Sequence, residues 1–267
     1  MHRPFGTLRA VSFVFLALAL AAALLLVGCG QSETTALERV KQSGEISFAM
    51  SGGYPPFNFY NESNELVGFD VDVAREVASR LGVAFKPVTT EWSGIIEGLR
   101  AGAYDGILGS MAVTPQRLEV VDFSVPYYFS GAQVVVRSDA PHVLTSDMNG
   151  KIVGVVTGTT FEADAQALGA SDVRLYKDDN QTLLELHNRV VDGVITDRVV
   201  GVNAMNSERF DIRLLGTPLR SEDIAVAFRK DDGALLAAVN GILTEMHADG
   251  TLSAISLKWL NVDVTTR

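Results

Sequence analysis

Short apolar segments alternate with segments of helical periodicity along most of the chain. Short apolar runs bounded by polar or turn residues predict buried strands, and apolar positions three or four residues apart predict helices. The predicted strands are Glu45–Met50, Val83–Thr89, Tyr104–Gly109, Ala132–Arg137, Lys151–Val156, Asp172–Lys177, Asp192–Asp197 and Ile224–Arg229. This alternation of strands and helices indicates an α/β fold with doubly wound sheets.

The clearest helical pattern begins at Asp70 and stops at Gly82. Asp70 is the predicted N-cap, and Gly82 is the predicted residue just past the helix end. Further helices are predicted at Gly94–Ala101, Gln181–Asn188, Arg198–Asn206, Leu235–Met246 and Leu252–Leu260.

Residues 1–28 form a predicted secretion signal. Arg3 and Arg9 precede an apolar run that ends just before Cys29. Positive charge followed by such a run predicts export, and the small residue before a cysteine indicates a lipoprotein cleavage site. We therefore expect a lipid on Cys29 and a tether over residues 29–35. The alternative is an uncleaved membrane anchor with an incidental cysteine, and in either case the remainder lies outside the cytoplasm.

The composition excludes several kinds of site and disfavours one kind of partner. Cys29 is the single cysteine, so a disulfide framework, a Cys-x-x-Cys redox pair and a thiolate zinc site are excluded. The formal net charge is −10, and loss of Arg3 and Arg9 with the signal makes the mature chain more acidic. This charge disfavours nucleic acid as a partner. We expect no cofactor, no metal site and a monomer.

The junction after the strand Tyr104–Gly109 is a candidate anion site. Thr114 is the predicted N-cap of a short helix with Pro115 at its first position. Backbone amides over residues 109–112, together with Arg117, make a suitable seat for a carboxylate, because a guanidinium can bind both oxygens. Taken alone, an arginine at position 117 is more often a solvated surface residue than a ligand residue.

Two later strand-to-helix junctions also carry polar residues. Thr159 and Glu162 fit a capping box, and Thr159 and Thr160 either cap a helix or face a ligand. Asp197 ends a predicted strand just before a predicted helix. A carboxylate there either binds an ammonium group or caps the helix, and the chemistry leaves both readings open.

Several motifs together resemble the polar amino-acid binding proteins of ABC importers, also called bacterial solute-binding protein family 3. The resemblance covers nearly all of the mature chain. It is carried, in order, by Tyr54-Pro-Pro-Phe57, Gly68-Phe-Asp-Val-Asp-Val-Ala74, Gly109-Ser-Met-Ala-Val-Thr-Pro-Gln-Arg117, Val-Asp122-Phe-Ser-Val-Pro-Tyr-Tyr and Lys258-Trp259-Leu260.

The resemblance implies a two-lobed periplasmic-binding-protein fold of type 2, in which each lobe is a mixed sheet flanked by helices and two hinge strands join the lobes. It also implies a non-enzymatic protein that binds an amino acid or related zwitterion and delivers it to an ABC permease with its ATPase. Lobe 1 is expected at residues 36–131 and 226–267, and lobe 2 at 132–225. The crossings are expected near Gly131–Val134 and Glu222–Val226.

The same resemblance implies roles for individual residues. Arg117 is expected to bind the ligand α-carboxylate, helped by Ser110, by the amide of Ala112 and, from the opposite lobe, by Thr160 with Thr159 beside it. Asp197 is expected to bind the α-ammonium group.

Tyr54 and Trp92 are expected to lie against the ligand side chain, a use that suits large rigid rings. The alternative for Trp92 is packing near the hinge.

Two residues depart from the family pattern. Ala112 stands where many relatives have Ser or Thr, which removes one hydroxyl from the carboxylate seat. Ser51 stands where binders of basic amino acids commonly have an acid. The second departure lowers the expectation that the ligand is lysine, arginine or histidine.

Two other functions stay open from the sequence. A secreted cyclohexadienyl dehydratase resembles these binding proteins and needs a general acid in the cleft, for which Glu162 is the nearest candidate. A sensing role for a partner receptor is the second alternative. The pairing of Arg117 with Asp197 favours a zwitterionic ligand over prephenate, which carries no ammonium group.

Overall fold

The computed structural model describes residues 34–141, 148–207 and 209–267. The predicted signal, Cys29 and most of the predicted tether lie outside the described residues. Within these ranges, no helix combines the length and the hydrophobicity needed to cross a bilayer. The helices are α1 (Ala36–Ser43), α2 (Phe69–Leu81), α3 (Ile95–Arg100), α4 (Pro115–Leu118), α5 (Phe161–Ala167), α6 (Asp179–His187), α7 (Arg198–Asn206), α8 (Gly233–Ala248) and α9 (Thr251–Leu260).

The strands form two five-stranded mixed sheets and one small three-stranded sheet. The bounds are β1 (Glu45–Met50), β2 (Gly53–Tyr54), β3 (Asn58–Tyr60), β4 (Leu66–Val67), β5 (Ala84–Thr89), β6 (Gly106–Ile107), β7 (Asp122–Phe123), β8 (Tyr128–Arg137), β9 (Ile152–Val156), β10 (Asp172–Tyr176), β11 (Gly193–Asp197), β12 (Ile212–Ile224) and β13 (Ala227–Phe228).

The first sheet has the strand order β5-β1-β6-β13-β7. Strand β1 pairs in parallel with β5 and β6, and β13 pairs antiparallel with β6 and β7. Its core contains Phe48 and Phe228, whose rings meet edge to face at 6.5 Å, together with the apolar faces of α2 and α8. Burial of these aromatic and aliphatic side chains is the main favourable term that holds α2 and α8 against the sheet.

The second sheet has the order β10-β9-β11-β8-β12. Strand β9 pairs in parallel with β10 and β11, whereas β8 pairs antiparallel with β11 and β12. The long strands β8 and β12 pair along most of their length, from Ile212 opposite Arg137 to Ile224 opposite Tyr128. Because β8 follows β7 and β12 precedes β13, the chain passes twice between the two large sheets.

Most of the predicted elements are confirmed. The strand prediction at Glu45–Met50 and the helix prediction at Arg198–Asn206 match β1 and α7 residue for residue. Strand β12 was not predicted before Ile224, because Ile212–Ile224 contains Gly, Pro and charged residues and is largely exposed in its middle. Its pairing with β8 is a long-range contact that local periodicity does not report.

The N-terminal cap of α2 differs from the prediction. Gly68, with φ of 130°, occupies the N-cap position, and Asp70 lies inside the helix with its side chain fully buried. A β-carbon at Gly68 would lie 2.2 Å from the carbonyl oxygen of Phe57, so only glycine fits there. The predicted helix end is confirmed, because Gly82 adopts the left-handed conformation with φ of 76°.

Aromatic rings pack between the first sheet and the start of β8. Tyr54 stacks on Phe57 at 5.3 Å, and Phe57 stacks on Tyr128 at 5.1 Å. Phe69 and Tyr127 complete the group. These contacts fix the position of the Tyr54 ring through the buried neighbours beneath it.

Candidate functional site

A cavity lies between the loops of the first sheet and those of the second. It encloses about 590 Å³ of space between the protein atoms, part of which is open to solvent. Its lining residues are Ser51, Gly53, Tyr54, Trp92, Gly109, Ser110, Ala112, Arg117, Val156, Thr159, Thr160, Phe161, Lys177, Asp178, Asp179, Asp197, Glu222 and Ile224. The structure therefore brings all nine predicted ligand residues to one cavity.

Arg117 is positioned by the short helix α4. Thr114 caps this helix through a bond from the backbone N–H of Arg117, with Pro115 next to the cap, as predicted. The guanidinium donates from Nη1 to the carbonyl of Ala112 at 2.8 Å and from Nη2 to the carbonyl of Gly158 at 3.2 Å. Burial lowers the pKa of Arg117 below its usual value, but an arginine keeps its charge under all ordinary conditions.

Ser110 and Ala112 differ in the backbone donors that they leave available. Ser110 has φ of 61°, and its backbone N–H donates to the hydroxyl of Tyr127 at 2.9 Å. Its hydroxyl donates to Asp70 Oδ2, also at 2.9 Å. The backbone N–H of Ala112 makes no hydrogen bond within the described ranges. Ala112 therefore offers a free donor at the predicted carboxylate seat, whereas the donors of Ser110 are bound internally.

Asp70 organises the buried polar network beneath Ser110. Its carboxylate accepts hydrogen bonds from Asn58 at 2.7 Å, Tyr127 at 2.7 Å and Ser110. Burial raises the pKa of Asp70 to about 6, and these three bonds partly oppose that increase. The sequence reading of Asp70 as a helix cap missed this role, because the partners lie 12, 40 and 57 residues away.

The threonine loop after β9 differs from the predicted capping box. Thr160, not Thr159, is the residue before α5, and its side chain makes no capping bond. The hydroxyl of Thr159 donates to the carbonyl of Val156 at 2.7 Å, and Glu162 accepts from the backbone N–H of Gly158 at 2.6 Å. The capping-box prediction is wrong because the chain turns one residue later than the motif requires.

Glu222 is a cavity residue that the sequence reading missed. It is 6% exposed, and its Oε1 accepts from the hydroxyl of Thr160 and from Arg220 Nη1, both at 2.7 Å. Arg220 also binds Asp164 with two hydrogen bonds. The sequence did carry a signal for Glu222, because it is an acid inside a predicted lobe crossing and lies two residues from an arginine.

Asp197 serves as a helix cap and also lines the cavity. It ends β11, is 2% exposed, and accepts from the backbone N–H of Val199 at 2.7 Å. Burial, with smaller contributions from the charges of Glu222 and Asp179, raises the pKa of Asp197 to about 7. Both readings left open by the sequence are therefore compatible with its position.

Tyr54 and Trp92 lie on the first-sheet side of the cavity. Burial, followed by the negative charges of Asp197 and Asp179, raises the pKa of Tyr54 well above its usual value, so its phenol stays neutral. Trp92 donates from Nε1 to the carbonyl of Gly158 at 3.3 Å. The guanidinium of Arg117 lies 5.7 Å from the centre of the Trp92 ring, within the range of cation–π contacts.

Three charged residues of the second sheet were also missed by the sequence reading. Lys177, Asp178 and Asp179 follow β10 at the start of α6. Asp178 is the N-cap of α6, and the ammonium of Lys177 lies 2.8 Å from Glu91 Oε1 across the cavity mouth. Ser51, opposite them, donates to Asn58 Oδ1 at 3.1 Å. The available signal was the charged triplet directly after a predicted strand.

Comparison with known proteins gives consistent matches over this region. The family model described as bacterial extracellular solute-binding proteins, family 3, matches residues 46–262. The L-cystine-binding protein TcyJ of Escherichia coli strain K12 is 33% identical over 232 residues, which cover 86% of this chain and 87% of TcyJ.

Two solved structures show the same fold. A mutant of ArgBP from T. maritima has a TM-score of 0.80 and 33% identity, covering 85% of this chain and 100% of that one. The ancestral amino acid-binding protein AncCDT-1, a precursor of cyclohexadienyl dehydratase, has a TM-score of 0.80 and 29% identity, with the same coverages. These matches confirm the predicted two-lobed periplasmic-binding-protein fold with two mixed sheets.

Proposed function

This chain belongs to the bacterial extracellular solute-binding proteins of family 3, and we propose that it is the lipid-anchored component of an amino-acid ABC importer that binds the substrate outside the cytoplasm. Membership of this family makes it an amino-acid-binding protein of the ABC-importer type. To this family assignment our proposal adds membrane attachment through Cys29, a defined binding site for the ligand and delivery to a permease with its ATPase.

The pairing of Arg117 and Asp197 around one cavity is the observation that carries the proposal. A half-buried guanidinium and a buried carboxylate line the same cavity. A zwitterion supplies the matching carboxylate and ammonium, and burial strengthens both pairings because the local dielectric is low. The free N–H of Ala112 supports the α-carboxylate at Arg117, and Tyr54 and Trp92 support the side chain of the ligand.

Hinge closure is the proposed binding mechanism. Trp92 and Arg117 both donate to the carbonyl of Gly158, and Lys177 pairs with Glu91. Each of these contacts joins an element of the first sheet to an element of the second. Opening breaks them together, while β8 and β12 keep the two sheets connected. The proposed lobes are residues 36–131 with 226–267, and residues 132–225.

Binding without catalysis is consistent with the relatives, which carry the names of binding proteins. Glu162, the candidate acid for the dehydratase alternative, is absent from the cavity lining. Its carboxylate accepts from the backbone N–H of Gly158 instead. The position of Glu162 therefore gives no support to a reaction in which a substrate loses water.

Lipid attachment is tested in cells with full-length protein and a Cys29→Ser variant. The wild type is expected in the membrane fraction, with incorporation of a labelled fatty acid. The variant is expected in the soluble extracytoplasmic fraction without label. Equal membrane retention and no label on the wild type would overturn the lipidation proposal while leaving amino-acid binding intact.

Ligand binding is tested by a thermal-shift screen of the chain from residue 30 against the proteinogenic amino acids, prephenate and arogenate. Residues 35–267 form one compact unit, so a protein that starts at residue 30 contains the whole unit and is suitable for the screen. A ligand at about 100 times its Kd stabilises the folded state by about 2.7 kcal/mol, which raises Tm by roughly 5–10 °C. A rise only with prephenate or arogenate, followed by product formation, would overturn the importer proposal.

A further inference from the structure

The cavity has two chemically different ends. Arg117, Thr159 and Thr160 line it where it opens toward Gln116 and Arg220. Ser51, Lys177 and Asp178 line it where it opens toward Tyr60 and Thr89. A ligand whose carboxylate binds Arg117 therefore extends its side chain toward the second of these ends, which we call the distal end.

The distal end carries an excess of negative charge. The ammonium of Lys177 pairs with Glu91 at 2.8 Å and also interacts with the charge of its neighbour Asp178. Within the described part of the chain, Asp179 makes no ion pair with a basic side chain. Across the cavity stand uncharged residues, since the β-carbon of a side chain at Gly53 would lie 3.6 Å from that of Asp178. Asp178 thus faces an uncharged part of the wall, and Asp179 lines the cavity next to it.

Asp179 is the more buried of these two acids. It is 5% exposed and accepts the hydroxyl of Thr196 on Oδ1. No other residue of the described ranges donates a hydrogen bond to its carboxylate. Burial raises the pKa of Asp179 to about 6. A buried carboxylate without a counter-ion is costly, and a cation at its free oxygen removes that cost.

The other acids of the cavity have partners already assigned. Glu222 is paired with Arg220 at 2.7 Å, and Asp197 pairs with the α-ammonium in the proposed function. An ordinary neutral zwitterion would therefore leave the buried charge of Asp179 without a counter-ion. A ligand with one additional positive charge neutralises Asp179, whereas Asp178 caps α6 and lies beside Lys177.

We propose that the side chain of the ligand ends in a positively charged nitrogen group, an ammonium or a guanidinium, bound by Asp179 with Asp178 beside it. This inference rests on the proposed amino-acid seat at Arg117 and Asp197. The residues that select a cation then belong to the second sheet, on the side of the cavity opposite Ser51. The family resemblance had lowered the expectation of a basic ligand because Ser51 itself is not an acid.

Isothermal titration with matched ligand pairs tests the proposal. Arginine is compared with citrulline, and lysine with norleucine, because each pair differs mainly in the distal charge. At least one charged ligand is expected to bind about ten-fold or more tightly than its neutral partner, as for a hydrogen bond to a charged group. Arginine and lysine together distinguish a guanidinium site from an ammonium site.

Two variants distinguish an effect of the Asp179 charge on ligand preference from a general effect of mutation on the second sheet. Asp179→Asn keeps an acceptor for Thr196 and is expected to abolish the preference while leaving the affinity for citrulline or norleucine within about two-fold. Asp172→Asn is the control, because Asp172 is an exposed acid at the start of β10 that pairs with Arg174, and the preference is expected to persist in it.

Neutral ligands that bind as tightly as their charged partners would overturn this inference and leave the proposed function standing. An equal loss of affinity for charged and neutral ligands in Asp179→Asn would do the same. Absence of binding by every amino acid in the screen would instead overturn the proposed function itself.

Discussion

Arg117 donates a hydrogen bond from Nη2 to the carbonyl oxygen of Gly158 at 3.2 Å, across the mouth of the cavity. Arg117 follows β6 of the first sheet, and Gly158 follows β9 of the second. The residue expected to bind the ligand carboxylate thus also bridges the two halves of the site. We therefore expect ligand binding and closure to be coupled through the same guanidinium.

Replacement of Arg117 by alanine is expected to weaken amino-acid binding by about 100-fold or more, because a buried carboxylate loses its charged partner. Isothermal titration measures the loss. Arg75→Ala is the control, since Arg75 is a surface arginine of α2 paired with Asp72, and its affinity is expected to equal that of the wild type. Retained affinity in Arg117→Ala would refute the assignment of the carboxylate seat.

Gly158→Leu is expected to reduce affinity about ten-fold or more, because closure leaves no room for the new side chain. Gly158 has φ of 78°, and a β-carbon there would already lie 3.4 Å from Ser93 on the opposite side. Gly44→Leu is the matched control, with φ of 71° and no described atom within 4 Å. Both variants carry a backbone strain of about 1–2 kcal/mol, but only Gly158→Leu is expected to lose affinity in titrations.

Loss of Asp70 is expected to destabilise the fold by roughly 3 kcal/mol, since Asn58, Tyr127 and Ser110 would each keep a buried donor without an acceptor. Urea denaturation of Asp70→Ala measures the change in the free energy of unfolding. Asp231→Ala serves as the control, because Asp231 is exposed. A change below about 1 kcal/mol in Asp70→Ala would show that the network contributes little.

The ligand-free protein is expected to be more stable at pH 5 than at pH 8. Burial raises the pKa of Asp197 to about 7 and the pKa values of Asp70 and Asp179 to about 6, from an ordinary value of 3.8. Such carboxyl groups bind protons more tightly in the folded than in the unfolded state. Stability is therefore fully present near pH 4 and is lost as the pH rises through 7.

Chemical denaturation at the two pH values checks this expectation. Asp197 alone accounts for roughly 1–3 kcal/mol of the difference. Asp197→Asn, which keeps the capability to cap α7, is expected to reduce the difference by that amount. Equal stability of the wild type at pH 5 and pH 8 would contradict the raised pKa values. A lowered pKa at Asp249, to about 2, acts in the opposite direction but only at more acidic pH.

Local signals in the sequence determined most of the elements and many of their ends. Helix α7 and strand β1 follow directly from hydrophobic periodicity, and Thr114 with Pro115 correctly marks the start of α4. These features depend on residues within a few positions of each other, which is why a single chain suffices to predict them. The motif around Arg117 likewise indicated the family and the candidate site.

Only the tertiary structure decided which polar groups are buried together. Asp70 reads as a helix cap in the sequence but closes a network with Asn58, Ser110 and Tyr127. Glu222 and Asp179 reach the cavity through the pairing of β8 with β12 and the packing of α6 on the second sheet. Burial of a charge depends on which distant segments surround it, and its electrostatic consequences follow from that burial, so no local pattern contains them.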